Sequence, residues 1–171
     1  MKNTKTEKTA LIGILGALAL ALSACESYIL PALPFLPPGA KPGLSNIVTM
    51  YAASCVSVPV TVYVVLIKSV FALITRGATA FFMSLAGGVL SALTMIIMLK
   101  KPFKNVSYVG IGVVGAVMHN TGQLIVSLIM TGTGAILGYA PFLMLFGVIT
   151  GFITGSILKV TIPAIEKTVK K

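Results

Sequence analysis

Apolar residues in this chain form five long runs, separated by short segments that are polar or rich in proline. The runs cover residues 9–30, 45–74, 80–99, 106–131 and 137–160. A helix needs about 20 predominantly apolar residues to cross the hydrocarbon core of a bilayer. The pattern therefore predicts an all-α membrane protein, built as a bundle of membrane-spanning helices.

The second run is longer than one span and contains Pro59 near its middle. It is either one kinked helix or two short helices joined by a tight turn, because proline disrupts helical hydrogen bonding. Cytoplasmic loops carry an excess of lysine and arginine, and only the two-helix interpretation puts most basic residues on one side. It predicts six spans with both termini in the cytoplasm, at about 9–30, 45–57, 59–75, 80–99, 106–131 and 137–160.

In this topology the basic residues divide unequally between the two sides of the membrane. Lys41 and Arg76 lie outside, and Lys68 lies within the membrane. With a single kinked helix, the 100–104 loop and the C-terminal tail would both face outward, which reverses the expected bias. The cytoplasmic set comprises Lys2, Lys5, Lys8, Lys100, Lys101, Lys104, Lys159, Lys167, Lys170 and Lys171.

The composition excludes several other classes of protein. The 171 residues are 57% hydrophobic and 9% charged, with a mean hydropathy of +1.04. A soluble domain carries about 25% charged residues, so a water-soluble globule is excluded. We expect one integral membrane domain, 1–171, in the cell membrane, with no nucleic-acid partner and no room for a nucleotide-binding domain. Cys25 and Cys55 form no CxxC pair and indicate neither a disulfide framework nor a zinc site.

The first run has a second interpretation. Basic residues at 2–8, an apolar stretch and then Leu22-Ser-Ala-Cys25 resemble a lipoprotein signal peptide that is cleaved before Cys25. The run continues to Leu30, however, which is long enough for a full span. We expect Cys25 to remain in the chain as a small residue of a packed helix.

Residues 31–43 contain five of the nine prolines. Proline fixes φ and donates no backbone hydrogen bond, so this segment is predicted to be stiff, extended and non-helical. It lies on the outer side in the six-span topology. There it is either a roof over an external opening or a rigid connector between the first two spans.

Small residues recur every four positions on three spans, a pattern that lets helix backbones approach closely in lipid. The lines on spans four and six are expected to pack inside the bundle. The line on span one is either internal packing or a docking stripe for another membrane protein. The lines are Gly13, Ala17 and Ala21 on span one, Ser84, Gly88 and Ala92 on span four, and Gly147, Gly151 and Gly155 on span six.

Polar side chains within the spans gather in the outer half of the membrane. Glu26 lies in the outer third of span one, Lys68 near mid-depth of span three, and His119 near the middle of span five. Such groups are costly in lipid and by default mark functional sites, so they predict a solute cavity that opens outward. Alternatively, Glu26 and Lys68 only neutralise one another, and the amides only bond neighbouring helices. The candidate substrate-binding residues are Glu26, Lys41, Asn46, Lys68, Ser84, His119, Asn120, Gln123 and Tyr139.

Several of these residues lie in segments that resemble one known family. The segments are Pro38-Gly-Ala-Lys-Pro-Gly-Leu-Ser-Asn46 with Glu26 before it, Ser84-Leu-Ala-Gly-Gly-Val-Leu-Ser91, Gly115-Ala-Val-Met-His-Asn-Thr-Gly-Gln123, and Tyr139-Ala-Pro141. They resemble heptaprenyl diphosphate synthase component I, also called the Gx transporter family. Members usually carry arginine where Lys68 stands and leucine where Pro42 stands.

The resemblance implies a fold and a set of partners. The family is similar to the substrate-binding S components of energy-coupling factor (ECF) transporters, which have six helices, no nucleotide site and small residues on span one that face a transmembrane partner. By this likeness Gly13, Ala17 and Ala21 dock a coupling subunit. Separate ATPases would supply the energy, because the chain contains no Walker motif.

The residues argue against catalysis by this chain alone. Prenyl chain synthases hold magnesium through aspartate-rich motifs, whereas this sequence has no aspartate and Glu26 is its only intramembrane acid. We predict a non-enzymatic subunit, without cofactor or metal, that binds the substrate of a small-molecule uptake transporter. The alternatives are a non-catalytic accessory subunit in prenyl diphosphate or quinone synthesis, and a structural scaffold. Lys41, Lys68 and His119 favour an anionic or polar head group, on a flavin-, quinone- or vitamin-like compound.

Overall fold

The computed structural model describes residues 5–29, 41, 43–99 and 106–169, and among them it contains helices and no strand. The last turn of the second helix, Ala52–Val56, is π-helical, and a short 3₁₀ helix, Gly134–Tyr139, precedes the sixth. The predicted all-helical class is confirmed for this part of the chain. The helices are α1 (Lys5–Ile29), α2 (Asn46–Val56), α3 (Val58–Arg76), α4 (Ala78–Met98), α5 (Tyr108–Thr131) and α6 (Ala140–Val169).

Five stretches are long and apolar enough to cross a membrane, and they indicate a multi-pass membrane protein. α2 is apolar but shorter than these, so a sixth crossing by α2 stays a prediction. The five stretches are Thr9–Tyr28, Val58–Arg76, Ala78–Met98, Tyr108–Thr131 and Gly134–Ile165.

The long second apolar run is divided at Ser57. This residue has an extended backbone (φ −173°, ψ 161°) between the π-helical turn of α2 and the start of α3. Pro59 lies in the first turn of α3, where a missing N–H leaves no helical hydrogen bond unmade. The Ser57 carbonyl accepts hydrogen bonds from the Thr61 N–H at 3.1 Å and the Thr61 hydroxyl at 2.9 Å. The run therefore forms two helices and not one kinked helix.

The first and last helices extend beyond the apolar runs that predicted them. α1 begins at Lys5, and α6 continues through Pro163 to Val169. Hydropathy marks where a helix can lie in lipid, whereas the helix propensity of lysine and glutamate lets the same helix continue into water. The apolar pattern therefore underestimates the length of both helices.

Helices α4, α5 and α6 pack side by side with their backbones in close approach. A Cβ atom on Gly151 of α6 would lie 2.5 Å from Val113 Cα on α5, and one on Gly122 of α5 would lie 2.7 Å from Gly87 Cα on α4. Only glycine leaves room for such contacts. The lines on α4 and α6 are largely buried, as predicted, at Gly88, Ala92, Gly147, Gly151 and Gly155.

Helix α1 contacts the rest of the bundle along one face, mainly on α3 and α2. Its opposite face exposes Gly13, Ala17 and Ala21, and a Cβ on Gly13 would have no atom within 4 Å. Cys25, predicted to be a small residue of a packed helix, lies on the exposed face of α1, because this part of the helix has a neighbour on one side only. The apolar cluster that holds α1 contains Leu15, Ala19, Val48, Val60 and Val64.

Parts of three predicted features lie outside the described residues. They include most of the proline-rich segment, at 30–40 and 42, the basic residues of the 100–105 loop, and both ends of the chain. The roles predicted for these segments stay predictions. Lys41 and Gly43 are the described residues nearest to the proline-rich part.

Candidate functional site

Polar side chains from four helices and one connection meet at a small buried cavity near the ends of α1 and α3. The free space at its centre is about 10 Å³, which is room for about one water molecule. The lining residues are Ser23 and Glu26 from α1, Lys41 and Ser45 from the α1–α2 connection, Lys68 and Arg76 from α3, Ser84 from α4, and His119 and Gln123 from α5.

Glu26 is fully buried on α1, three residues after Ser23 and on the same helix face. Its Oε1 atom accepts a hydrogen bond from the Leu44 backbone N–H, just before α2 begins. Its Oε2 atom has no hydrogen-bond partner among the described residues. The carboxylate thus joins α1 to the α1–α2 connection and keeps one oxygen unused.

Lys41 is held in the cavity by its backbone as well as by its side chain. The Gln123 side chain of α5 accepts from the Lys41 backbone N–H at 2.8 Å and donates to the Lys41 carbonyl at 3.2 Å. The Lys41 ammonium donates to the Ser23 hydroxyl at 2.7 Å and to the Ser23 carbonyl. Burial, assisted by the positive charge of Arg76, lowers the pKa of Lys41 to about 8, while Glu26 acts in the opposite direction. The charged form therefore still predominates at neutral pH.

Lys68 reaches the cavity from α3 and meets the start of α2. Its ammonium donates to Asn46 Oδ1 at 3.0 Å, and the Asn46 backbone N–H donates to the Gly43 carbonyl at 3.0 Å. The Asn46 Nδ2 donor is buried and has no partner among the described residues. The Lys68 ammonium group therefore donates to the oxygen of a neutral amide. The nitrogen of the same amide lies beside it and is free to donate to a ligand.

His119 and Gln123 face the cavity together because they are one helical turn apart on α5. His119 is 5% exposed, and its Nδ1 atom has no partner among the described residues. Gly87 of α4 lies directly against the ring, since a Cβ there would fall 2.9 Å from Nδ1. The imidazole is thus fixed by close packing while one of its nitrogen atoms stays available.

Asn120 connects α5 to α6 beside the cavity. Its amide donates to the Leu143 carbonyl at 2.5 Å, and its Oδ1 atom accepts from Gln123 Nε2 at 3.3 Å. These bonds orient the Gln123 amide, which in turn holds the backbone of Lys41. Asn120 therefore positions the site and does not line it.

The match to a known family covers this whole site. The profile of heptaprenyl diphosphate synthase component I matches residues 15–161, which include every lining residue of the cavity. The chain belongs to this family. No curated protein and no solved structure matches it. The family predicted from the sequence segments is thereby confirmed, and its name describes one component of a synthase.

Six of the nine predicted binding residues of this family member line the cavity. Asn46 and Asn120 are hydrogen-bonded to lining residues. Tyr139 is not among the lining residues and packs beside Met83 and Leu143. The six are Glu26, Lys41, Lys68, Ser84, His119 and Gln123.

Three lining residues were missed by the sequence reasoning, namely Ser23, Ser45 and Arg76. A signal existed for Ser23, because it precedes Glu26 by three residues on one helix face. Arg76 follows Lys68 by eight residues on α3, a spacing that also keeps two side chains on one face. Its position at the end of a span predicts that Arg76 lies at the outer surface, whereas the structure places it at the cavity. Ser45 lies in the connection before α2, within the segment 38–46 that carries the family resemblance.

The donor set does not resemble a metal site. Among the residues that the structure describes, no group of three His, Cys, Asp or Glu side chains lies close enough to hold a metal ion. The cavity instead combines one carboxylate, two lysine ammonium groups, a guanidinium, an imidazole and an amide. This combination suits recognition of a polar ligand by hydrogen bonds and charge.

Proposed function

We propose that this protein is the membrane-embedded, substrate-binding subunit of a small-molecule uptake transporter of the ECF S-component type. The observation that carries the proposal is the convergence of buried polar side chains from α1, α3, α4 and α5 on one cavity. In lipid each of these groups is costly. A shared ligand relieves the cost for all of them at once, whereas packing between helices needs no such convergence.

The proposal includes a six-span topology in one membrane domain, with both termini in the cytoplasm of a cell membrane. α2 is then the short second span, and the cavity opens toward the outside. The supporting feature is the distribution of lysines in the sequence, ten of which fall on the cytoplasmic side. The Lys41 connection and the Gly77 junction between α3 and α4 lie on the outer side.

The exposed face of α1 supports the proposed coupling partner. Gly13, Ala17 and Ala21 are all exposed, and together they make a shallow surface on which another helix backbone can lie close. A transmembrane coupling subunit would occupy this face, and separate ATPases would supply energy, since this chain contains no Walker motif.

A second candidate rests on the description of the family. Heptaprenyl diphosphate synthase component I implies an accessory subunit that works beside a catalytic component. Catalysis of prenyl transfer on this chain itself requires carboxylates that hold magnesium. The cavity has one carboxylate beside two ammonium groups, so its residues do not fit that ion. In this candidate the chain presents a prenyl substrate to its partner.

Native mass spectrometry of the detergent-purified protein tests the proposal. We expect a small-molecule adduct of constant mass, and we expect His119→Ala to weaken its retention about tenfold, because loss of a buried hydrogen bond costs about 1–3 kcal/mol. Thr131→Ala, at the exposed end of the same helix, is the matched control and should retain the adduct.

The mass of the adduct separates the two candidates. A water-soluble compound supports the transporter subunit, whereas a prenyl diphosphate supports the accessory subunit. A wild-type protein that carries no small molecule, from cells or after incubation with a metabolite extract, contradicts both.

A further inference from the structure

Positive charge exceeds negative charge around the cavity. Lys41 and Lys68 already outnumber the single carboxylate of Glu26, and the Arg76 guanidinium also lines the space. Removing a charge from water costs several kcal/mol, even after the protein relaxes around it. A site of this composition therefore calls for a negative counter-charge.

No other side chain of the protein can supply that counter-charge. The sequence contains three acidic residues, Glu7, Glu26 and Glu166, and no aspartate. Glu7 precedes Glu26 by 19 residues in the same helix, so it lies about 28 Å away at 1.5 Å per residue. Leu143 is the α6 residue that Asn120 contacts beside the cavity. Glu166 follows Leu143 by 23 residues in the same helix, so it lies about 35 Å away. The segments outside the described residues contain neither aspartate nor glutamate.

The hydrogen bonds of the two lysines do not cancel their positive charge. Lys68 donates to the Asn46 side-chain oxygen, and Lys41 donates to the hydroxyl and carbonyl of Ser23. These acceptors are neutral dipoles, which stabilise an ammonium group without cancelling its charge. Glu26 offsets one of the positive charges at the cavity, and a bound anion would compensate the remainder.

Three buried polar atoms without a hydrogen-bond partner indicate which donors and acceptors a bound ligand would need. Asn46 Nδ2, His119 Nδ1 and Glu26 Oε2 have no partner among the described residues, and each of these residues is at least nine-tenths buried. Gly43 keeps the space between the first two open, since a Cβ on it would lie 3.0 Å from Asn46 Nδ2 and 3.6 Å from His119 Cδ2. An amide donor thus stands beside the lysines, and a carboxylate oxygen remains to accept from a ligand.

We propose that the cavity binds a phosphate-type head group, with Lys41, Lys68 and Asn46 Nδ2 as its donors. A phosphate monoester brings close to two negative charges at neutral pH and three acceptor oxygens. It therefore matches the charge excess and the donor number better than a carboxylate, which has one charge and two oxygens. Glu26 Oε2 repels the phosphate and accepts from a hydroxyl or N–H elsewhere on the ligand.

The head group enters by displacing the lysine side chains. The free space holds about one water molecule, so the ammonium groups must turn from Ser23 and Asn46 toward the anion. Lysine suits this movement because its charge sits on a flexible four-carbon stem. The inference rests on the proposed function, since the phosphate belongs to the solute that the protein captures.

The test is thermal unfolding of the full-length protein in a neutral, phosphate-free detergent. Inorganic phosphate and inorganic diphosphate are compared with acetate and chloride at equal ionic strength. We expect saturable stabilisation by the two phosphates only, because a ligand that binds the folded state alone raises its stability. Lys68→Gln should raise the half-saturating concentration at least tenfold, and Lys159→Gln, an exposed lysine on α6, should not.

Lys41→Gln provides a second variant in case Lys68→Gln fails to fold, and it should show the same loss. Stabilisation by phosphatidic acid in nanodiscs but not by inorganic phosphate, with the same dependence on lysine, supports the phosphate class with a lipid as its source. Equal shifts with acetate or chloride, or unchanged responses in both folded variants, overturn the inference. A neutral co-purifying solute with no phosphate response removes the inference and leaves the proposed function standing.

Discussion

Helices α1 and α6 carry small residues at the same four-residue spacing, yet the two lines lie in opposite environments. On α6, Gly147, Gly151 and Gly155 are buried against α5. On α1, the corresponding residues Gly13, Ala17 and Ala21 are exposed. The spacing alone therefore predicts that something approaches each helix closely, but not whether that neighbour belongs to the same chain.

The difference is explained by what each line faces. α5 offers Gly112 opposite the α6 line, and a Cβ on Gly112 would lie 2.5 Å from the Gly151 carbonyl. Two lines of small residues thus meet, and both backbones come within contact distance. The described residues contain no second line that meets the one on α1, which is why a partner chain is the occupant we propose there.

A larger side chain should destabilise the protein when it is added to the α6 line and leave stability unchanged when it is added to the α1 line. Gly151→Leu places a side chain where a Cβ already falls 2.5 Å from Val113 Cα and 2.6 Å from the Gly112 carbonyl. Neither is a flexible side-chain end, so we expect a loss of roughly 3 kcal/mol or more in stability, measured as the fraction of monodisperse protein after heating in detergent. Ala17→Leu on α1 should leave this fraction unchanged. Equal losses in the two variants would show that the α1 line is internal packing.

The same α1 variant should fail in partner capture. Ala17→Leu adds a bulky side chain to the surface on which a coupling subunit would lie. We therefore expect the amount of coupling subunit that co-purifies with the variant to fall more than tenfold. Leu18→Ala, also on the exposed side of α1, removes bulk from a neighbouring position and serves as the control. Capture by the Ala17→Leu variant at the wild-type level would remove α1 from the interface.

A smaller effect is expected at the polar end of α1, where Lys41 bonds Ser23. Burial and Arg76 lower the pKa of Lys41 to about 8 from its usual 10.5. Between pH 8 and 10.5 Lys41 is protonated in the unfolded chain but largely deprotonated in the folded protein. Its contribution to the free energy of unfolding therefore increases as pH rises through this range. Phosphate binding needs the charged form of Lys41 and should weaken between pH 7 and 9 as this ammonium group loses its proton.

Phosphate titrations by calorimetry in folded protein measure this dependence. Glu26, Lys68 and His119 also line the cavity and could contribute to the pH dependence of phosphate affinity. Lys41→Gln isolates the contribution of Lys41 and should make the affinity depend less on pH. A profile that is equally steep in this variant assigns the titration to another of these groups.

The smallest expected effect is a gain in stability. Gly13→Ala adds a methyl group into open space on α1 and should stabilise the protein by about 0.5–1 kcal/mol, because alanine loses less backbone entropy in a helix than glycine. Gly16→Ala, one turn on but 3.3 Å from the Ile67 Cδ1 atom, should gain less. Midpoints of thermal unfolding distinguish the two, and a destabilised Gly13→Ala variant would indicate an unrecognised contact on this face.

Much of the helical architecture follows from hydropathy and proline positions. The apolar runs predicted each long helix. Pro59 left the second run open to one kinked helix or two short ones, and the distribution of basic residues favoured the two helices that the structure shows on either side of Ser57. The depth of Glu26, Lys68 and His119 also predicted that they belong to one region of the bundle. Each of these inferences depends on local sequence and on the uniform rise of a helix.

Other features depend on packing and were not predictable. Asn120 and Gln123 are three residues apart and looked equivalent, yet one bonds α6 and the other holds the backbone of Lys41. Tyr139 lies near the right depth but packs beside Met83. The rotation of a helix about its own axis decides such outcomes, and that rotation is fixed by neighbours distant in sequence.

The junction between α3 and α4 consists of one residue, Gly77, with φ 87° and ψ −176°. Only glycine adopts this conformation at low cost. A one-residue junction allows little variation in the relative position of the two helices along their axes. It thereby keeps the hydroxyl oxygens of Ser69 and Ser84 within 3.4 Å of each other. One inserted residue would shift the register by about 1.5 Å and rotate it by about 100°. This position should therefore tolerate no insertion or deletion in natural variants that keep the cavity, in contrast to the freedom usual for surface loops.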